Sequence, residues 1–214
     1  MKKKHQVHNL IILDESGSMG VVKSTIIQGF NEVVQTIKGI EEKFPEQEHS
    51  ISLVSFNGMG QKVLHFNDPA SKLEEIDSTR YQPNFSTPLY DAIGFSINKL
   101  SHSIEGQTGF NVLVTILTDG AENSSTEFSG SAVKKQIEQL KQNNWTFTYI
   151  GADHNVEEMA FTLSINNTLK FNKNEADIAE MFAKERSSRA SYSQKIRDKQ
   201  NTTDDYFGNE EENK

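Results

Sequence analysis

The sequence contains no cysteine, so it can form neither disulfide bonds nor thiolate metal sites. Any metal ion must therefore be held by oxygen or imidazole ligands. The first residues, Met1-Lys2-Lys3-Lys4, resemble the start of a signal peptide, but the apolar run that follows is short and is broken by His8 and Asn9. A chain without disulfides is also typical of a reducing compartment. We therefore predict a cytoplasmic protein.

Long apolar runs and excess positive charge are missing as well. No stretch approaches the roughly 18 apolar residues that a membrane span requires. The net charge is −8, whereas a duplex nucleic-acid binder needs a basic face to neutralise phosphates. The sequence has no glycine-rich loop ending in Lys-Ser or Lys-Thr, and its six histidines form no HxH or HxxxH pair. These absences argue against a membrane, a nucleic acid or a nucleotide as the ligand.

Length and composition suit one globular domain with a substantial core, since the chain has 214 residues of which 35% are hydrophobic. From Asp198 onward the sequence is polar and acidic, ending in the run Glu210-Glu211-Glu212. Such a segment has little to bury. We predict one domain over residues 1–197 and a disordered acidic tail over residues 198–214.

Two apolar, β-branched segments, residues 7–13 and 112–117, have the character of central strands and are each followed closely by an aspartate. A hairpin is predicted around Asn57-Gly58-Met59-Gly60, because apolar segments flank this turn closely on both sides. Helical periodicity predicts helices over about 23–38, from Pro88 to 100, 132–142, 156–163 and 176–189. Alternating strands and helices predict an α/β fold: a mostly parallel sheet with one antiparallel edge strand and helices on both faces.

Oxygen-bearing side chains are concentrated where this sheet would bind a ligand, beyond the carboxyl ends of its strands. The first strand leads into Asp14-x-Ser16-x-Ser18, Thr87 precedes the helix that begins at Pro88, and Asp119 follows the later central strand. Hydroxyl and carboxylate oxygens are ligands that Mg²⁺ prefers, and magnesium usually retains some bound water. The predicted metal site is therefore Asp14, Ser16, Ser18, Thr87 and Asp119, with Mg²⁺ expected and Mn²⁺ possible.

This arrangement resembles the metal-ion-dependent adhesion site of the von Willebrand A family, which has Asp-x-Ser-x-Ser, then Thr, then Asp on three loops in the same order. All five positions match here, and the resemblance covers roughly residues 7–185. It implies a Rossmann-like fold and cation-dependent binding of a partner protein through an Asp or Glu carboxylate. It also suggests a stand-alone bacterial member that acts in assembly or regulation, without catalysis.

Other interpretations fit parts of the pattern. Asp14, Ser16 and Ser18 also suit a helix cap and turn, and Thr87 before Pro88 suits a cap. A metal-dependent hydrolase of phosphate esters is the alternative function, because Mg²⁺ beside carboxylates can activate water. A cell-surface adhesin is a third possibility. Asp91, one turn into its helix, is predicted to fix a loop or face the helix dipole, and Glu15 is expected to influence partner charge.

Overall fold

The computed structural model describes residues 3–208. Its sheet has six strands in the order β3-β2-β1-β4-β5-β6. Only β2 and β3 pair antiparallel, through the predicted hairpin, and every other neighbouring pair is parallel. The strands are β1 (His5–Asp14), β2 (Gln47–Asn57), β3 (Gly60–Pro69), β4 (Phe110–Thr118), β5 (Trp145–Gly151) and β6 (Asn167–Lys170). The predicted α/β, Rossmann-like architecture is confirmed.

Five α-helices cover the sheet: α1 (Lys23–Lys43), α2 (Leu89–Ser103), α3 (Gly130–Lys141), α4 (Val156–Thr162) and α5 (Glu175–Arg197). Short 3₁₀ segments occupy Gly17–Val22 and Ala70–Lys72. None of the helices between residues 3 and 208 combines the length and apolar character that crossing a bilayer requires.

Alternation along the central strands creates two cores, one on each face of the sheet. In β1, Leu10 and Ile12 pack with α2, α3 and α4. Their neighbours Ile11 and Leu13 face the other way and pack with α1 and α5. This double burial explains why β1 reads as a continuous apolar run near its end. The parallel register of β1 and β4, in which Leu13 pairs with Leu117, places the ends of these two strands side by side.

The last helix is longer than its sequence pattern indicates, because α5 continues eight residues past the predicted end at Arg189. Its extra turns contain the buried Tyr192 and Ser193. Part of the segment expected to form the acidic tail also packs on the domain. Tyr206 is buried beside Val7 and Leu113, and its backbone N–H donates to Asn167 Oδ1 at 3.0 Å. The acidic run at 210–212, which belongs to the predicted tail, lies outside the described residues.

Candidate metal centre

The two predicted aspartates meet because β1 and β4 are adjacent parallel strands that end together. Asp14 ends β1, opposite the end of β4, and Asp119 follows Thr118, the last residue of β4. Both aspartates are buried. The Thr118 hydroxyl donates a 2.6 Å hydrogen bond to Asp14 Oδ2, which joins the two strand ends directly.

The serines of the first loop continue this contact toward Asp119. The backbone N–H of Ser16 donates to Asp14 Oδ1 at 2.7 Å, which turns the chain back over the end of its strand. The hydroxyls of Ser16 and Ser18 lie 3.1 Å apart. The Ser18 hydroxyl then donates to Asp119 Oδ1 at 2.6 Å. Asp14, Ser16, Ser18 and Asp119 thus form one connected polar group.

Thr87 reaches the same group from the loop before α2. A methyl group placed on Gly120 would lie 3.4 Å from the Thr87 hydroxyl oxygen, so this hydroxyl sits directly over the residue that follows Asp119. The Thr87 N–H donates to Asn123 Oδ1 at 2.9 Å, which holds the two loops together. The structure therefore brings all five predicted residues to one edge of the sheet.

Glu15 holds the loop that carries Thr87. Its carboxylate is buried and accepts hydrogen bonds from the backbone N–H of Gln82 and from Lys62 Nζ, the latter at 2.8 Å. Its carbonyl oxygen accepts from the Asn84 N–H at 2.8 Å. The expectation that Glu15 tunes partner charge is wrong, because its carboxylate faces inward and is occupied by these donors.

Two further carboxylates fix the loop after Asp119 onto the start of α2. Asp91 accepts three backbone hydrogen bonds from residues 126–128, at 2.7–2.9 Å, which confirms its predicted loop-fixing role. Glu122 accepts the backbone N–H groups of Ser124 and Ser125 and also that of Tyr90, at the first turn of α2. The hydroxyl of Thr87 and the carboxylate of Asp119 are therefore held on loops with little freedom to separate.

Burial gives the site an unusual electrostatic state. It raises the pKa of Asp14 from 3.8 to about 6, against the lowering effect of the hydrogen bonds from Thr118 and Ser16, and the charge of Asp119 adds to the rise. A nearby cation would relieve this unfavourable burial of negative charge. The site as built therefore favours a positive ion.

One cation already lies beside Asp119. Lys173, in the loop between β6 and α5, places Nζ 2.8 Å from Asp119 Oδ2 and 2.6 Å from Asp153 Oδ2. Burial would lower the pKa of Lys173, but the two carboxylates raise it, so the ammonium form is retained. Neither composition nor motif spacing indicates Lys173 as a site residue, because it is separated from Asp119 by more than fifty residues of sequence.

The residues present fit a hard divalent cation. Asp119 Oδ2 is buried, and although Lys173 is close, no hydrogen bond of acceptable geometry reaches it. Three neutral hydroxyls accompany two carboxylates, a set suited to Mg²⁺ with water completing the shell. Within residues 3–208, no group of three or more Asp, Glu or His side chains is placed to share an ion. The candidate centre, with its three hydroxyls and two carboxylates, is therefore not an acidic cluster of that kind.

Comparison with known proteins identifies the family to which the fold belongs. Residues 10–196 match the model of the von Willebrand factor type A domain. The chain belongs to this family. No curated protein matches its sequence.

Solved structures of similar fold come from several sources. The PilB minor pilin from Streptococcus sanguinis has a TM-score of 0.62 at 12% identity, and the match covers 89% of this chain and 62% of the pilin, so this chain spans less than two thirds of that protein. The vWF domain of the type V pili tip protein Mfa5 from Porphyromonas gingivalis has a TM-score of 0.60 at 11% identity, covering 87% of this chain and 95% of that one. The manganese-loaded TRAP protein of Plasmodium vivax has a TM-score of 0.51 at 17% identity, covering 83% and 73%. At such identities the likeness shows a shared fold.

Proposed function

We propose that this von Willebrand A domain is a protein-binding module that depends on a divalent cation. Ser16, Ser18 and Thr87 would supply hydroxyl ligands, and Asp14 and Asp119 would complete the set directly or through water. The observation that supports this most strongly is the convergence of these residues from three loops onto one connected polar group, of which only Ser18 is exposed.

The ligand chemistry explains why such a site would capture a carboxylate. Mg²⁺, with Mn²⁺ as a substitute, would keep much of its positive charge among neutral hydroxyls and attract an Asp or Glu of the partner into an open position. Asp14 cannot itself turn outward, because Thr118 and the Ser16 N–H both hold its carboxylate. The chain's own residues would thus orient the ion while leaving one side open to the partner.

Direct titration of Mg²⁺ by calorimetry tests the first part of the proposal. The Ser16→Ala variant should lose metal binding, because a ligand oxygen is removed. Ser55→Ala is the matched control, since Ser55 is a buried serine of β2 whose hydroxyl has no hydrogen-bond partner. Equal Mg²⁺ affinity in Ser16→Ala and the wild type would contradict the proposed ligand set.

Partner capture tests the second part. The domain is immobilised and exposed to a lysate of its source cells with Mg²⁺ and then with EDTA. A protein retained only in Mg²⁺, by the wild type and Ser55→Ala but not by Ser16→Ala, is the expected result. Retention that is unchanged in EDTA and in Ser16→Ala would contradict a metal-bridged interface.

We propose binding rather than hydrolysis of phosphate esters because the nearby basic groups are engaged. Lys173 is paired with two aspartates. The ring of His154, after β5, contacts the carbonyl oxygen of Ala152 with one nitrogen and the hydroxyl of Tyr149 with the other. We expect no turnover of p-nitrophenyl phosphate in Mg²⁺. Turnover that disappears in Ser16→Ala would instead favour the hydrolase.

The cytoplasmic location also remains a proposal, and it rests on the sequence features alone. Fractionation of source cells with an antibody against the domain tests it. Recovery in the secreted or surface fraction would contradict it and favour an adhesin.

A further inference from the structure

Large apolar side chains are exposed around the candidate metal centre. Within residues 3–208 the exposed ones are Val21, Met59, Val63, Phe85 and Phe161. We call Val21, Met59 and Phe85 the apolar collar. Val21 lies in the 3₁₀ segment after β1, Met59 in the β2–β3 turn and Phe85 in the loop before α2, all at the carboxyl edge of the sheet, and their exposed fractions are 81%, 77% and 56%. Single exposed apolar residues are ordinary on a protein surface, but their concentration around one site marks an interaction surface.

The segments that carry the collar contact the loops that carry the candidate metal ligands. The N–H of Gly17, between the two metal-site serines, donates to the Phe85 carbonyl oxygen at 3.0 Å. On the other side, a methyl group on Gly58, next to Met59, would lie 3.1 Å from the Phe85 Cβ and 2.5 Å from the Ser86 hydroxyl oxygen. Gly58 therefore allows the hairpin that carries Met59 to pack against the Phe85 loop.

Phe85 is held in a conformation that its own side chain disfavours. Its φ is +66°, in the left-handed region that bulky residues rarely adopt. The neighbouring Asn84 is fixed by the Glu15 carbonyl, and its side chain accepts the Phe85 N–H at 2.9 Å. The Phe85 ring is about half exposed, so it contributes little to the stability of the fold. The strained backbone beneath it is of the kind that concentrates at functional sites.

A groove of about 530 Å³ extends from the collar and carries positive charge. It is lined by Gly20, Asn57 and Phe85, with Lys23 and Lys62 along its sides. Its one carboxylate, that of Glu15, is buried and bonded to Lys62. On a protein with a net charge of −8, this is a local surface that suits an acidic ligand.

We propose that the collar and the metal centre form one interface, and that its occupant is an extended segment of another protein in which an Asp or Glu lies next to a large apolar side chain. The inference rests on the proposed function, since the carboxylate would enter at the metal. The apolar neighbour would pack against Phe85, Val21 or Met59. A further acidic residue of the segment would face Lys23, because the charge of Lys62 is already compensated by Glu15.

Selection from a phage-displayed library of random peptides tests the inference. Phage are bound to the immobilised domain in Mg²⁺ and released with EDTA. The wild type should enrich an acidic residue flanked by Leu, Ile, Phe or Met. The triple variant Val21→Ser, Met59→Ser, Phe85→Ser should enrich acidic residues without this apolar flank. Phe161→Ser, which removes an equally exposed side chain from α4, is the control and should behave as the wild type.

Affinities of the selected peptide then give a quantitative answer. The triple variant should bind it about tenfold more weakly or worse, because the central apolar contacts of an interface carry much of its affinity. Phe85→Gly provides a second variant that separates binding from folding. Glycine accepts the φ of +66° without strain, so this variant should melt at the same or a higher temperature while binding the peptide more weakly.

The outcomes distinguish this inference from the proposed function. Acidic peptides without an apolar flank, or equal affinity in the triple variant and the wild type, would show that the collar is not part of the interface. The proposed metal-dependent binding of a carboxylate would be unaffected by that result. Failure to recover any peptide with EDTA would overturn both. Dimerisation of the wild type in Mg²⁺ that is lost in the triple variant, measured by sedimentation, would overturn the choice of occupant, since a second copy would then cover the collar.

Discussion

The ammonium group of Lys173 lies 2.8 Å from the buried carboxylate of Asp119. Lys173 also contacts Asp153, so the loop between β6 and α5 is tied to the loops after β4 and β5. In the absence of a divalent cation, this ion pair compensates the negative charge of Asp119. A divalent cation bound at the centre would lie near a positive charge that the protein itself provides.

Replacing Lys173 with methionine should therefore strengthen Mg²⁺ binding. We expect about a tenfold lower Kd, equivalent to ~1.4 kcal/mol, because a repulsive charge near the ion is removed. Calorimetric titration measures the change. Lys170→Met, an exposed lysine at the end of β6, is the matched control and should keep the wild-type affinity. A Kd that is unchanged or higher in Lys173→Met would show that the ammonium does not oppose the cation.

Asp14 should destabilise the metal-free protein at neutral pH. Its pKa in the folded state is about 6, above its ordinary 3.8, so the folded state binds this proton more tightly than the unfolded chain. The unfolding free energy attributable to Asp14 therefore falls as pH rises from about 4 to 6 and stays low above 6. At 1.36 kcal/mol per pKa unit, the loss is at most roughly 3 kcal/mol.

Asp14→Asn tests this cost by thermal unfolding in EDTA. At pH 7.5 the variant should unfold at a higher temperature than the wild type, and the difference should shrink toward pH 4. Adding Mg²⁺ should raise the melting temperature of the wild type only. A variant that is less stable than the wild type in EDTA at pH 7.5 would contradict the electrostatic argument.

His49 should act in the opposite direction. Burial, with the charges of Arg189 and His5, lowers its pKa from 6.5 to about 4, so the unfolded chain binds this proton more tightly. Its contribution to the unfolding free energy should fall, by at most roughly 3.5 kcal/mol, as pH decreases from about 6.5 to 4. In urea titrations His49→Gln should show a smaller loss of stability over that range than the wild type. His102→Gln, at an exposed position of α2, is the control variant. An equal change in both variants would contradict the assignment.

Arg189 should be essential for the stability of α5. Its guanidinium is buried, pairs with Glu185 at 2.8 Å and donates to Asn9 in β1 and Thr115 in β4. Arg189→Met would leave Glu185 buried without its partner, at a cost of about 3–5 kcal/mol. The double variant Arg189→Met, Glu185→Leu should recover most of this loss in urea unfolding. If Arg189→Met and the double variant are equally unstable, the ion pair is not the cause.

The sequence predicts those parts of the site that depend on local patterns. Asp14 and Asp119 follow buried strands, and parallel strands carry their ends to one edge, so their meeting could be expected. The Thr87-Pro88 pair marks the start of α2 in the same way. These residues are found by reading strand ends and helix starts, which are short-range properties of the chain.

Contacts between distant segments could not be predicted in this way. Lys173 reaches Asp119 only because β6 lies at the end of the sheet and its following loop turns inward. In the sequence, Arg189 is an ordinary charged residue of a predicted helix. Nothing near it in sequence indicates that its guanidinium is buried and donates to Asn9 and Thr115. Tyr206 stands in a polar segment, and the pocket that buries it is formed by residues close to the start of β1 and β4.

The positions of the first and last described residues have a practical consequence. β1 begins at the amino edge of the sheet, and the Tyr206 segment packs at that same edge, beside Val7 and Leu113. The candidate metal centre lies at the carboxyl edge, on the far side of the domain. A surface attachment or fused protein introduced at either position would therefore point away from the candidate metal centre, which would face the solution.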